Sequence, residues 1–147
     1  MAMDFNKGKK TDEMFAPTPS VLASRWIVSR TASQGWRGGG RKRLMAVDFT
    51  KAFLYGEMER EVYIELPDED ERKQKGDMVG LLLKAMYGLR DAPLIWQKLV
   101  QNMLVQRGFE VLASAQCVYI NRETGVIVVA HVDDFLCHGD HDELGSF

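Results

Sequence analysis

Residues 125 to 139 read GVIVVAHVDDFLCHG. An apolar run of β-forming residues climbs into two adjacent aspartates, Asp133 and Asp134, and then turns apolar again. Asp-Asp is acceptable chemistry for a hairpin turn, where solvent screens both charges. A hard divalent cation with oxygen ligands is the sharper explanation, because it relieves the repulsion between neighbouring carboxylates and accounts for their place at a strand tip. Adjacent residues of an extended strand face opposite ways, so one of the pair is expected to be a full ligand and another acid must come from elsewhere. Asp48 is the candidate, since it closes the apolar run LMAV as Asp133 closes GVIVVAHV. Two tip carboxylates flanking two cations can clamp the attacking and leaving oxygens of a phosphoryl transfer. A rival set is His131, Asp133, Asp134 and His138, which would suit an unrelated metal-dependent hydrolase. The terminal HGDHDE, with His138, Asp140 and His141, reads as solvated.

The elements that must position these acids follow from local pattern. Ser20, after the turn APTPS, can cap a helix running to about Thr31. SQGWRGGGRKR (33–43) reads as a flexible basic loop, and RLMAVDF (43–49) as a short buried strand. Gly56 marks a turn, and Val62, Ile64 and Leu66 alternate as in a half-buried strand. DEDERKQKGD (68–77) is a solvated loop, and MVGLLLKAMYG (78–88) a strand candidate with a short helix as the alternative. A second helix spans about Pro93 to Arg107, capped by Asp91 and stopped by Gly108, with Trp96, Leu99, Val100, Met103 and Leu104 on one buried face. Strands follow around 115–121, 125–132 and 135–138. The layout is α+β, a sheet covered on one face by two helices.

A length of 147 residues suits one domain, and 46% hydrophobic with 27% charged residues is a globular profile. No apolar stretch reaches the roughly 20 residues of a bilayer span. MAMDFNKGKKTDEMF lacks a signal-peptide core, so residues 1–15 are expected to be a polar arm and the location intracellular, with cytoplasm and nucleus not distinguished. Cys117 and Cys137 form no CxxC and read as reduced, packed thiols. A net charge of −2 excludes a general basic field, so a polyanion partner must be held by a local patch.

Three co-linear motifs then carry a resemblance. VDFTKAFLYGEMEREVYIELP, LLLKAMYGLRDAPLIWQKL and VVAHVDDFLCHGD, preceded by EMFAPTPS, look like copia-type retrotransposon reverse transcriptase over about residues 11 to 140. The family reads approximately DVKTAFLNG, EEVYMEQP, LKKALYGLKQAPRAW and YVDDLL in the same order. The resemblance implies an antiparallel-sheet polymerase palm with part of the fingers over residues 16–147, and RNA-directed DNA synthesis on a primed RNA or DNA template from deoxynucleoside triphosphates. It implies two magnesium ions, with manganese as the alternative, held by Asp48 and Asp133, and Asp134 as a supporting acid. Phe53 would pack against the incoming sugar and favour deoxynucleotides, although core packing explains it equally. The backbone of Phe49 and Thr50 would meet the triphosphate, and Tyr87 and Gly88 would lie by nucleotide and template, where a strand-to-helix turn is the plainer account.

The sequence also departs from the family. His131 replaces the tyrosine of YVDD near the primer terminus, and Asp91 replaces an uncharged glutamine. WRGGGRKR is longer and more basic than the family, as a solvated loop or a contact to nucleic-acid phosphates. The remaining fingers, the thumb and the RNase H domain are expected to belong to a longer polyprotein, so the chain alone is expected to polymerise weakly or not at all. A catalytically silent remnant that binds nucleic acid or a partner subunit is the alternative.

Overall fold

The computed structural model describes residues 16, 18–37, 42–73, 76 and 78–146. The polar arm expected at 1–15 and the centre of the basic loop, 38–41, lie outside the described residues. The elements in chain order are α1 (Val21–Arg37), β1 (Lys42–Asp48), a 3₁₀ turn (Ala52–Tyr55), β2 (Tyr63–Glu65), β3 (Val79–Leu81), α2 (Ala92–Gln106), β4 (Phe109–Leu112), β5 (Ala115–Asn121), β6 (Ile127–His131), β7 (Asp134–Asp140) and α3 (His141–Gly145). They fall into two compact units, one from Ala16–Thr50 with Gln97–Phe147, the other from Lys51–Trp96. The class is α+β, as expected, with three α-helices rather than two among the described residues.

The larger unit is built on a five-stranded sheet of order β1-β7-β6-β5-β4, antiparallel throughout. Both faces of β6 and β7 are buried at Ile127, Val128, Val129, Phe135 and Cys137, which is why GVIVVA reads as an unbroken apolar run. Register places Val118, Val129, Leu136 and Ala46 in one row across the sheet, and Ile120, Ile127, His138 and Leu44 in the next. Ile27 of α1, fully buried, packs on this face with Val118, Ile127 and Val129. Burying such a side chain contributes about 2–3 kcal/mol. Ser20 caps α1, its Oγ accepting from the Ala23 amide at 3.3 Å.

Several boundaries differ from expectation. α1 continues to Arg37, and Lys42 and Arg43 already belong to β1, so the basic loop is far shorter than 33–43. Exposed Leu44 and Ala46 show that β1 is an edge strand, not a buried one, because only β7 pairs with it. Of 78–88 only Val79–Leu81 is strand, β4 follows α2 directly, and His141–Gly145 is helical rather than loose. Cys117 and Cys137 are buried thiols outside any disulfide, as expected, and burial pushes the Cys137 thiol up to about 12.

One polar group is buried between α1 and the sheet. His138 is 1% exposed. The neutral ring donates Nε2–H to Gln34 Oε1 at 3.1 Å, and its Nδ1 accepts from the Thr31 hydroxyl at 2.8 Å, whose Oγ1 also lies 2.8 Å from the Ile27 carbonyl. Burial, reinforced by Arg30 and Lys42 and opposed by Asp140, holds the His138 pKa below its usual value of 6.5. The folded ring therefore binds its proton less readily than the unfolded one. The stability this confers is complete above the unfolded value and is lost as pH falls from there through the lower folded value. Melting temperature should drop as pH falls below about 6.5, and His138→Asn should flatten that part of the profile.

The smaller unit carries the two-stranded β2–β3 ribbon and a single bridge, Glu57 with Lys84. Gly56 is buried at φ −75°, so it is not there for a left-handed turn. A Cβ on it would stand 2.5 Å from Ile95 Cγ2, and close packing is what demands glycine. Arg60 forms a two-pronged ion pair with Asp91 at 2.7 and 3.2 Å.

Candidate active site

Strand register assembles the acids. His131 and Asp134 face each other across the β6–β7 hairpin, and Asp134 faces Asp48 across β7 and β1. Directly opposed residues share a face with Cβ atoms roughly 4.5–5.5 Å apart, so His131, Asp134 and Asp48 form one row at the sheet's tip. Two rows further in, the same face carries His138. The Phe49 amide donates to the Asp133 carbonyl at 2.9 Å, extending the β1 ladder one residue onto the turn. Phe49 and Phe135 meet edge to face at 4.9 Å behind it.

The turn itself is Val132–Asp133, two residues long, with Val132 at φ 52°. A positive φ at the first central position is what a tight hairpin requires, and glycine or asparagine ordinarily supplies it. For a β-branched residue the left-handed region is costly. Val132→Gly should raise stability by about 1 kcal/mol after the glycine's own entropic penalty, read as a higher melting temperature.

α1 runs alongside this row. Ser24, Ile27 and Thr31 recur on its inner face, with Thr31 at His138 and Ser24 at the tip. The ten residue steps from Ser24 to Gln34 rise about 15 Å in a helix, close to the roughly 13 Å that β7 covers from Asp134 to His138. The positive N-terminal end of α1 therefore lies toward the carboxylate tip, where it favours negative charge. Ser24, Ala46, Asp48, Val129, His131, Asp134 and Leu136 border an open cleft of about 400 Å³. Nothing in the residue pattern singled out Ser24, because its role comes from the length and direction of α1.

Of the residues expected at a site, Asp48, Asp134 and His131 come together and are exposed, and Asp133 sits half-buried in the adjoining turn. Asp134, expected to be the supporting acid, is the one in register with Asp48. Phe49 is half-buried and Thr50 exposed just beyond Asp48. Phe53, Tyr87 and Gly88 belong to the smaller unit. There Phe53 is buried against Tyr87 at 4.5 Å, and Gly88 adopts φ 99°, a turn conformation suited to glycine. His138 does not join His131 in a ligand set, since both its ring nitrogens are engaged with α1. The hydrolase arrangement is thereby lost.

Among the described residues no group of three or more His, Cys, Asp or Glu side chains is gathered to hold a metal ion. Two exposed carboxylates facing each other nevertheless suit a hard cation. Like charges directly opposed across strands are destabilising, and magnesium characteristically takes one or two carboxylates with water and substrate phosphates completing its shell.

Comparison with known proteins gives the family to which the chain belongs. The family model described as reverse transcriptase (RNA-dependent DNA polymerase) matches residues 5–146. The retrovirus-related Pol polyprotein from transposon TNT 1-94 of Nicotiana tabacum is 32% identical over 136 residues, covering 90% of this chain and 10% of that protein. The Pol polyprotein from transposon RE2 of Arabidopsis thaliana is 28% identical over 134 residues, covering 90% and 9%. A putative transposon Ty5-1 protein of Saccharomyces cerevisiae is 29% identical over 92 residues, covering 61% and 30%. The chain thus spans about 10% of the length of the first of these relatives. No solved structure matches the chain significantly. The chain belongs to the reverse transcriptase (RNA-dependent DNA polymerase) family, in its copia-type retrotransposon branch.

Proposed function

We propose that this chain, over residues 16–147, supplies the carboxylate-bearing palm of a retrotransposon reverse transcriptase within a longer polyprotein. The reaction is templated nucleotidyl transfer. A primer 3′-hydroxyl attacks the α-phosphate of a deoxynucleoside triphosphate, a new phosphodiester forms, and pyrophosphate leaves. The single observation that carries this is the pairing of Asp48 with Asp134 at the tip of adjacent strands, beside the Asp133 turn.

Asp48 and Asp133 are the carboxylates that would hold magnesium, or manganese, and the register adds Asp134 as the acid facing Asp48. A bound pair of such ions lowers the pKa of the primer hydroxyl and neutralises the triphosphate. The chain's own residues do the rest. The hairpin turn holds Asp133 and Asp134 at a fixed angle to Asp48. Just beyond Asp48, exposed Thr50 would offer polar groups to the triphosphate, whereas the Phe49 amide is already donated to the Asp133 carbonyl. His131, beside Asp134, presents an imidazole to the primer end, able to donate a hydrogen bond or to stack. Roles for Phe53, Tyr87 and Gly88 at the nucleotide rest on the family resemblance alone.

Water-proton relaxation with Mn2+ tests the site without turnover. Binding should be lost in Asp48→Asn and weakened in Asp134→Asn. A primer-extension assay with magnesium then reads the chemistry. Mn2+ binding indifferent to Asp48 would leave only a silent remnant.

A further inference from the structure

The charge of this protein is uneven in a way the catalytic reading does not use. α1 contains Arg25, Arg30 and Arg37 and no Asp or Glu across its 17 residues, in a chain whose net charge is −2. Its inner face is spoken for by Ile27, Thr31 and Gln34 against the sheet. That fixes what the outer face presents. Leu22, Arg25, Trp26, Ser29, Arg30 and Ser33 are all exposed, with Leu22 at 73% and Trp26 at 44%. Arg30 lies over the Trp26 ring at 5.5 Å from its centroid. Neither Arg25 nor Arg30 has an ion-pair partner among the described residues.

A solvent-facing tryptophan costs hydration free energy, and a helix with arginines and no acid leaves positive charge unneutralised on its own surface. A polyanion with flat rings would relieve both. Its phosphates would pair with the guanidinium groups, and a base would stack on the Trp26–Arg30 platform. We propose that the outer face of α1 is a docking surface for single-stranded nucleic acid, tracking the strand past the Asp48–Asp134 cleft that Ser24 of the same helix borders. The choice of nucleic acid over another polyanion rests on the function proposed above. The site itself rests on charge and exposure. Anionic membrane is the competing occupant, since Val21 and Val28 are exposed on the same helix as Leu22 and Trp26, and the vesicle arm of the test separates the two.

The test is fluorescence anisotropy of a labelled oligo-dT strand titrated with the full chain in EDTA, so that the carboxylate site plays no part. Each lost phosphate contact should reduce the salt slope by about 0.7, so Arg25→Gln with Arg30→Gln should lower it by about 1.4 and weaken binding roughly 20-fold at 0.1 M salt. Trp26→Ala should weaken it by about tenfold. Both arginines are exposed, so an unchanged far-UV circular dichroism spectrum is expected and separates lost contacts from lost fold. Affinity and salt slope unaltered in the double arginine variant would overturn the proposal. So would capture by phosphatidylserine vesicles with no binding to the oligonucleotide. If Arg-dependent strand binding persists while Mn2+ ignores Asp48, the docking surface stands and the catalytic reading fails. The converse result separates them the other way.

Discussion

Asp48→Asn should lower the proposed metal-dependent nucleotidyl transfer of the longer polyprotein by on the order of 10³-fold or more, while making the metal-free chain slightly more stable. The two effects have one cause. Asp48 and Asp134 oppose each other across an antiparallel pair, the arrangement in which like charges repel most directly. Removing one charge should relieve a few tenths of a kcal/mol to about 1 kcal/mol, reduced by the exposure of both residues. Saturating Mn2+ should invert the order. A cation at 100 times its dissociation constant stabilises the parent by about 2.7 kcal/mol through mass action, and the variant gains little. Thermal melts of both proteins with and without Mn2+ would therefore cross. An acid kept only for turn formation gives no crossing, because the amide serves a turn as well as the carboxylate does. Asp134→Asn should cross in the same sense, since it is the other half of the facing pair. Asp133→Asn reads whether the turn acid also reaches the cation.

The cleft was legible in sequence to the extent that strand tips were. LMAV before Asp48 and GVIVVAH before Val132 are apolar runs, and strands end where such runs meet charge. Which tips adjoin is a matter of sheet order, and no periodicity encodes it. The same gap explains the roles of Asp133 and Asp134. Alternation along a strand separates the two, but a two-residue turn at Val132–Asp133 resets which of them faces β1. No glycine marks that turn. Its left-handed residue is a valine, the type that sequence rules place there last. α2 was legible because its caps and apolar spacing agree. α1 was cut short because SQGWRGGG carries glycines, yet helix persists through Gly35 to Arg37. The inner face reaches Gln34, whose bond to buried His138 holds the helix there. That is tertiary structure overriding local propensity. His138 was misread for the same reason, since a histidine between solvated-looking residues gives no sign of a helix packed over it.

Asp91 shows how a charge that looks out of place in sequence acquires a partner in the fold, and Arg60→Ala should expose its dependence on that partner. The carboxylate and the guanidinium are 14% and 19% exposed and meet through two contacts, the geometry in which an Arg–Asp pair is strongest. The Asp91 carbonyl also accepts the first helical bond of α2, from the Ile95 amide at 2.9 Å. The pair therefore ties the segment before β2 to the start of α2. Truncating Arg60 removes the counter-charge and leaves the carboxylate largely desolvated, which costs about 2–4 kcal/mol for a pair at this depth. With a urea slope of roughly 1–3 kcal/mol per molar for a domain of this size, the midpoint should fall by about 1 M or more. The double variant Arg60→Ala with Asp91→Ala should be no less stable than Arg60→Ala alone, because the desolvated charge is the main source of the loss. A double-mutant cycle then gives a coupling of about 1–3 kcal/mol. Simple additivity would mean that the contact contributes packing only. In that case the pair would leave the Asp91 charge unexplained by stability, close to where the family resemblance puts nucleotide and template.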